Sequence, residues 1–82
     1  MKAIIHVELK SGVLDPQGKA VGETLGRMGY EEVQDVRIGK VITLDLKPSE
    51  DETTAKSRIT EMCERLLANT VIEAYRFEVL AE

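Results

Sequence analysis

Residues 33–47 read VQDVRIGKVITLDLK, and the reading of this run decides the fold. Val36, Ile38, Ile42, Leu44 and Leu46 share one parity, interrupted at Lys40, so a single period-2 alternation spans the stretch. Two structures satisfy it. One is a hairpin with a three-residue loop at Gly39, Lys40 and Val41, which sets Ile38 against Ile42 and Val36 against Leu44. A two-residue turn at Gly39 and Lys40 would instead mix the apolar and polar faces. The other is a single strand bent at Gly39. At the rise of a β-strand it would be about 45 to 50 Å long. A small chain has too little else to cover such a strand, so this alternative requires a second copy.

Upstream, KAIIHVELK (2–10) alternates Ala3, Ile5, Val7 and Leu9 with more polar positions, which predicts a half-buried strand with His6 on its wetter face. His6 has no second histidine and no cysteine-rich spacing beside it, so no metal site is expected. Next comes GVLDPQGKAV (12–21). Asp15 is suited to accept backbone N–H groups as a helix N-cap, Pro16 fits the first helical position, and Gly29 suits a left-handed end cap. Between them Val21, Thr24, Leu25 and Met28 form an apolar stripe expected to face the sheet. Gly18, Gly22 and Gly26 lie on one side of the same helix, and each costs about 1 kcal/mol relative to alanine. Either they are tolerated surface positions or a partner chain approaches the backbone there.

Downstream, KPSEDE (47–52) places Ser49 and Glu52 at capping-box spacing and adds Asp51 to the positive end of a second helix. Ala55, Ile59, Met62, Cys63 and Leu66 make its buried stripe, so Cys63 is expected to be an inert core thiol. Asn69 and Thr70 end the helix, and VIEAYRFEVL (71–80) is the last strand, with Val71, Tyr75, Phe77 and Val79 alternating inward. The order is β, α, a long β region, α, β. It predicts one α+β domain over residues 1–82, a ferredoxin-like plait with an antiparallel sheet and with 33–47 shared or packed in a dimer.

The chain of 82 residues is 43% hydrophobic and 32% charged, the composition of a folded domain whose small core gains from self-association. Its net charge of −4 is the wrong sign for holding nucleic acid through phosphate neutralisation. The single cysteine forms no intrachain disulfide, no signal-peptide pattern opens the sequence, and no apolar run reaches membrane-spanning length, so a cytoplasmic protein is expected. No Walker loop, GxGxxG or nucleophile–base spacing supplies an active site, and no catalytic or metal-binding residue is assigned.

Three stretches carry a resemblance. LKSGVLDPQGKAV (9–21), VRIGK (36–40) and LLANTVIEAY (66–75) resemble the signatures of the PurS family, small subunits of phosphoribosylformylglycinamidine synthase, in order and across nearly the whole chain. The chain departs from the family pattern at Thr70, where proline is common, and at Ala74, where an acidic residue is common. The resemblance implies a non-catalytic subunit. In such a complex a large synthetase subunit uses ATP and Mg to activate a formyl amide oxygen, a glutaminase subunit releases ammonia, and the small subunit, as a dimer or dimer of dimers, bridges the two and helps ammonia pass. No cofactor is expected on this chain.

Candidate partner-binding residues are Gly12, Asp15, Pro16, Gln17 and Gly18 in the junction, Arg37, Gly39 and Lys40 in VRIGK, and Asn69. Arg37 and Lys40 are basic residues beside a glycine in an acidic chain, suited to pair with a neighbouring subunit's carboxylates. Two rival classes remain at this point. A dimeric plait-type regulatory domain would cradle a small ligand between Gly12 and Gly18 at the helix N-terminus, and a stand-alone enzyme would have to use Asp15, Arg37 and Lys40.

Overall fold

The computed structural model describes residues 1–48 and 51–80. Strand β1 (Lys2–Leu9) lies at the centre of a three-stranded antiparallel sheet, flanked by β2 (Gly39–Asp45) and β3 (Glu73–Leu80). The register places Ile5 between Ile42 and Phe77, and Ala3 between Leu44 and Val79, so one face of the sheet is apolar across all three strands. Backbone bonds from Leu46 to Met1 (2.8 Å) and from Lys10 to Ile72 (2.8 Å) prolong the two ladders at opposite ends.

One helix covers that face. Helix α2 (Glu52–Met62) buries Ala55 and Ile59, and Ile59 with Cys63 joins one core cluster with the fully buried Ile5 and Val7 of β1. Asp51 caps it, its carboxylate accepting from Thr53 N at 2.9 Å and from the Thr54 hydroxyl at 2.7 Å. The expected capping box involves Ser49, which lies outside the described residues. The helix ends in a π-turn over Cys63–Leu67, where Ala68 N bonds to Cys63 O. The wider turn advances the phase by about one residue. Leu67 therefore takes the inward position that the 3.6 period assigned to Leu66, which is 82% exposed.

The first helix behaves differently. Helix α1 (Pro16–Arg27) has the predicted caps, Asp15 at its start and Gly29 at φ +98 beyond its end. It does not lie on the sheet. Its stripe is exposed, with Val21 at 41% and Met28 at 64%, so the expectation that this stripe faces the chain's own sheet fails. The helix packs instead on the segment 33–38 that leads into β2, through Val36, and this segment has no strand partner among the described residues. Residues 33–45 thus form no hairpin, and of the expected long strand only Gly39–Asp45 pairs, with β1. Together α1 and 33–38 form an arm beyond the end of the sheet. The chain spans 51 × 28 × 14 Å with a radius of gyration of 16.3 Å, where a compact chain of this length has about 12 Å.

Candidate partner-binding end of the sheet

The residues singled out in the sequence converge on one end of the sheet. Strand β1 finishes at Leu9 and leads into Gly12, whose φ of +87 a side chain would strain. Strand β2 begins there with Gly39 opposite Glu8, and β3 begins there with Glu73 opposite Leu9. An open cleft at this end is lined by Asp15, Pro16, Gln17, Gly39, Lys40 and Glu73. Pro16, Gln17 and Lys40 are exposed.

Asp15 organises it. One carboxylate oxygen accepts from Gly18 N at 2.8 Å, closing the first turn of α1, and the other accepts from Ile38 N at 2.9 Å, fixing the segment that leads into β2. The bond from Ile38, reinforced by that from Gly18 and by the Arg37 charge, holds the Asp15 carboxyl below its ordinary range against the opposing effect of desolvation. The same carboxylate occupies the helix N-terminal position that an anionic ligand would need, which removes the geometric basis for the regulatory-domain alternative.

Gly18 is buried under the chain's own backbone. A methyl group there would overlap the Val36 carbonyl, and at Gly22 it would touch the Val36 side chain at 3.4 Å, whereas Gly26 faces open space. The close approach that the glycine spacing suggested is therefore made by residues of the same chain. Gly39 answers a similar need, since a Cβ there would overlap the Val7 carbonyl of β1.

Arg37 also turns inward along its own chain. Its Nη1 donates to Leu9 O at 3.2 Å and Lys10 O at 3.3 Å, tying the arm to the end of β1, and its Nε lies 3.7 Å from the exposed Asp35 carboxylate. Asn69 builds the turn into β3. Its carbonyl accepts from Ile72 N at 3.1 Å and Glu73 N at 2.7 Å, its side chain accepts from Val71 N at 3.2 Å, and its N–H donates to the Glu73 carboxylate at 2.7 Å. Val71, expected to point inward as part of the strand, stands in this turn and is 81% exposed.

Two contributors were missed in the sequence: Ile38 as the second donor to Asp15, and Glu73 as the clamp on Asn69. The first joins residues 23 positions apart and leaves no local signal. The spacing of Asn69 and Glu73 does place an acceptor within reach of a turn N–H. Among the described residues no cluster of His, Cys, Asp or Glu could hold a metal ion, and no helix is long and apolar enough to cross a membrane. Cys63 is buried, and desolvation, followed by the Glu64 charge, pushes its thiol up, away from the reactive thiolate.

These features define a small α+β protein of plait type, with the singled-out residues gathered at one end of the sheet and an arm that leaves it. Comparison with known proteins is specific. The family model described as "PurS: Phosphoribosylformylglycinamidine (FGAM) synthase" matches residues 2–81, and the chain belongs to the PurS family. It is 54% identical over 78 residues to the phosphoribosylformylglycinamidine synthase subunit PurS of Bacillus subtilis, covering 95% of this chain and 90% of that one. The PurS subunit of Archaeoglobus fulgidus is 43% identical over 75 residues, 92% of each chain. Among solved structures, B. subtilis PurS in a C2 crystal form superposes with a TM-score of 0.86 at 52% identity, covering 98% of both chains. A chain in the structure of PurLQS from Thermotoga maritima superposes with a TM-score of 0.86 at 33% identity, covering 96% of this chain and 95% of that one.

Proposed function

We propose that this protein is the small, non-catalytic subunit of a phosphoribosylformylglycinamidine synthase complex of purine biosynthesis. It bridges an ATP- and Mg-dependent synthetase subunit and a glutaminase subunit and assists the passage of ammonia between them in the cytoplasm. The observation that carries this reading is the near-complete superposition on a chain of the T. maritima PurLQS structure. The sheet end supplies the contact surface: Gly12, Pro16, Gln17 and Lys40 meet a larger subunit, while Asp15, Gly18, Arg37, Gly39 and Asn69 hold that surface in shape. The working unit is a dimer or a dimer of dimers, because an arm of this length leaves apolar surface that a single copy does not cover.

Reconstitution tests the reading. The chain is mixed with the two larger subunits, glutamine, ATP and Mg, and amidine product is followed. Product is expected only when all three subunits are present. An equal rate from the larger subunits alone would overturn the assignment.

A further inference from the structure

The sheet has a second face, and no helix among the described residues lies on it. Every strand residue of the core cluster, from Ala3, Ile5 and Val7 to Tyr75, Phe77 and Val79, belongs to the face under α2. The alternate residues Ile4, His6 and Glu8 of β1 turn the other way. They are flanked by Thr43, Val41 and Gly39 of β2 and by Glu78, Arg76 and Ala74 of β3. Val41 is 60% exposed there, while Ile4 and His6 are half-buried.

Toward the sheet end this face is hollowed and basic. Glu8 stands between Gly39 and Ala74, whose lack of long side chains leaves a depression lined by His6, Glu8, Lys40, Val41, Ala74 and Arg76. His6 and Arg76 are directly opposite each other across β1 and β3, a pairing that sets Cβ atoms about 5 Å apart. Among the described residues Arg37, Lys56 and Arg65 each lie against a carboxylate, whereas Lys40, Arg76 and His6 have no ion pair and no side-chain hydrogen bond. Lys40 also lines the cleft that holds Gln17 and Glu73, so the depression and the cleft meet at its side chain.

We infer that the contact surface of the sheet end continues on to this open face, where an acidic segment of a larger subunit places carboxylates beside Arg76, His6 and Lys40 and apolar atoms over Val41. This rests on the complex proposed above and adds His6 and Arg76 to its contacts. Two cations, Lys40 and Arg76, with His6 beside them and one carboxylate, Glu8, give the depression a sign opposite to that of the whole chain, whose net charge is −4. An acidic partner is repelled by the chain at large and drawn to this place, which fixes where it docks. The Arg76 guanidinium can hold a carboxylate through two parallel hydrogen bonds. A protein segment suits the face where a free anion does not. The cations stand at the surface with no buried polar side chain behind them, and a small ion would leave Val41 in water.

Charge reversal tests the contact. Arg76→Glu, Arg76→Ala and His6→Gln are made in the full chain, with Lys56→Glu on the exposed side of α2 as an equal change of charge away from this face. Affinity for the two larger subunits is measured at low and high salt, alongside the melting temperature and sedimentation of each chain alone. Arg76→Glu is expected to weaken binding by about tenfold. Arg76→Ala and His6→Gln should weaken it less, Arg76→Ala with a flatter salt dependence, and Lys56→Glu should leave it unchanged. Arg76→Ala carries the test if the reversed charge does not fold. Affinity unchanged by the Arg76 variants, or lowered equally by Lys56→Glu, would overturn the contact while leaving the complex standing. So would a loss of self-association in the Arg76 variants that accounts for the weaker binding. Inorganic phosphate is titrated into the chain alone while His6 is followed by proton NMR, and a saturable shift would assign the face to a free anion and overturn the protein contact. A parent chain that does not bind the larger subunits would overturn the proposed function itself.

Discussion

Replacing Gly18 with alanine asks whether this glycine serves the scaffold or a partner. On an unobstructed helix the change stabilises by about 1 kcal/mol, since glycine loses more conformational freedom than alanine on folding. At Gly18 the new Cβ would fall less than 3.0 Å from the Val36 carbonyl oxygen and at 2.9 Å from an Asp15 carboxylate oxygen, where ordinary contact is 3.4–4 Å. The obstruction at Val36 is backbone, anchored two residues on by the bond from Ile38 N to Asp15. Overpacking in tight sites costs about 1–3 kcal/mol, and a backbone obstacle belongs at the upper end. The net expectation is a loss of about 2 kcal/mol, which for a chain of this size lowers the unfolding temperature by roughly 8–16 °C. Scanning calorimetry at fixed protomer concentration measures it, with the exposed Gln17→Ala as the control expected to stay within about 0.5 kcal/mol of the parent. An unfolding temperature equal to or above the parent's would show that Val36 does not rest on Gly18, and the account of the junction would fail with it.

Ile59→Ala, at the centre of the α2–β1 core, should destabilise by about 2–5 kcal/mol in urea unfolding; a value below 1 kcal/mol would mean the site collapses freely. Asp15 and Asp51 are both held below their ordinary range by hydrogen bonds, so the stability they contribute is present above about pH 4 and is lost as pH falls through their lowered folded values. Asp15→Asn should flatten part of that acid limb in thermal melts, and an unchanged limb would remove Asp15 from it. Tyr75 is pushed up to about 12, chiefly by its hydrogen bond to Glu64, so its contribution is fully present below pH 10 and is lost between there and about 12. Tyr75→Phe should abolish that alkaline fall in stability, while an identical alkaline profile would mean the bond to Glu64 does not form. Gln17→Ala with Lys40→Ala should weaken binding to the larger subunits and reduce its salt dependence without changing the melting temperature; unchanged affinity and salt slope would place the contact elsewhere.

Much of the architecture is legible in local chemistry. Alternation marks β1 and the core positions Tyr75, Phe77 and Val79 of β3, Asp15 and Pro16 mark where α1 begins, and Gly29 marks where it ends. These signals depend on residues close in sequence. Residues 33–47 show where locality stops: a hairpin and a single strand bent at Gly39 leave the same parity, and only pairing with β1 chooses between them. The stripe on α1 identifies an apolar side but not whose sheet it meets. At the candidate site, the sequence marks the residues by type, yet the partners of Arg37 and Asp15 are set by the arm's return to the end of β1. The inversion of Leu66 and Leu67 follows from a π-turn, for which CERLL carries no distinctive composition.

That π-turn also holds one residue of slack in the connection between α2 and β3. Removing a single residue from Cys63–Leu67 would let the segment relax to a regular α-turn without disturbing the pairing of β1 with β3. Leu67 would keep its inward position in the regular turn, and the neighbouring exposed leucine would shift to another position around the helix, changing the apolar surface of Leu44, Met62 and Leu66. Whether this surface offers an apolar grip thus depends on chain length as much as on side-chain identity. Insertions and deletions, which usually remodel loops, can here reshape an apolar surface from within a helix.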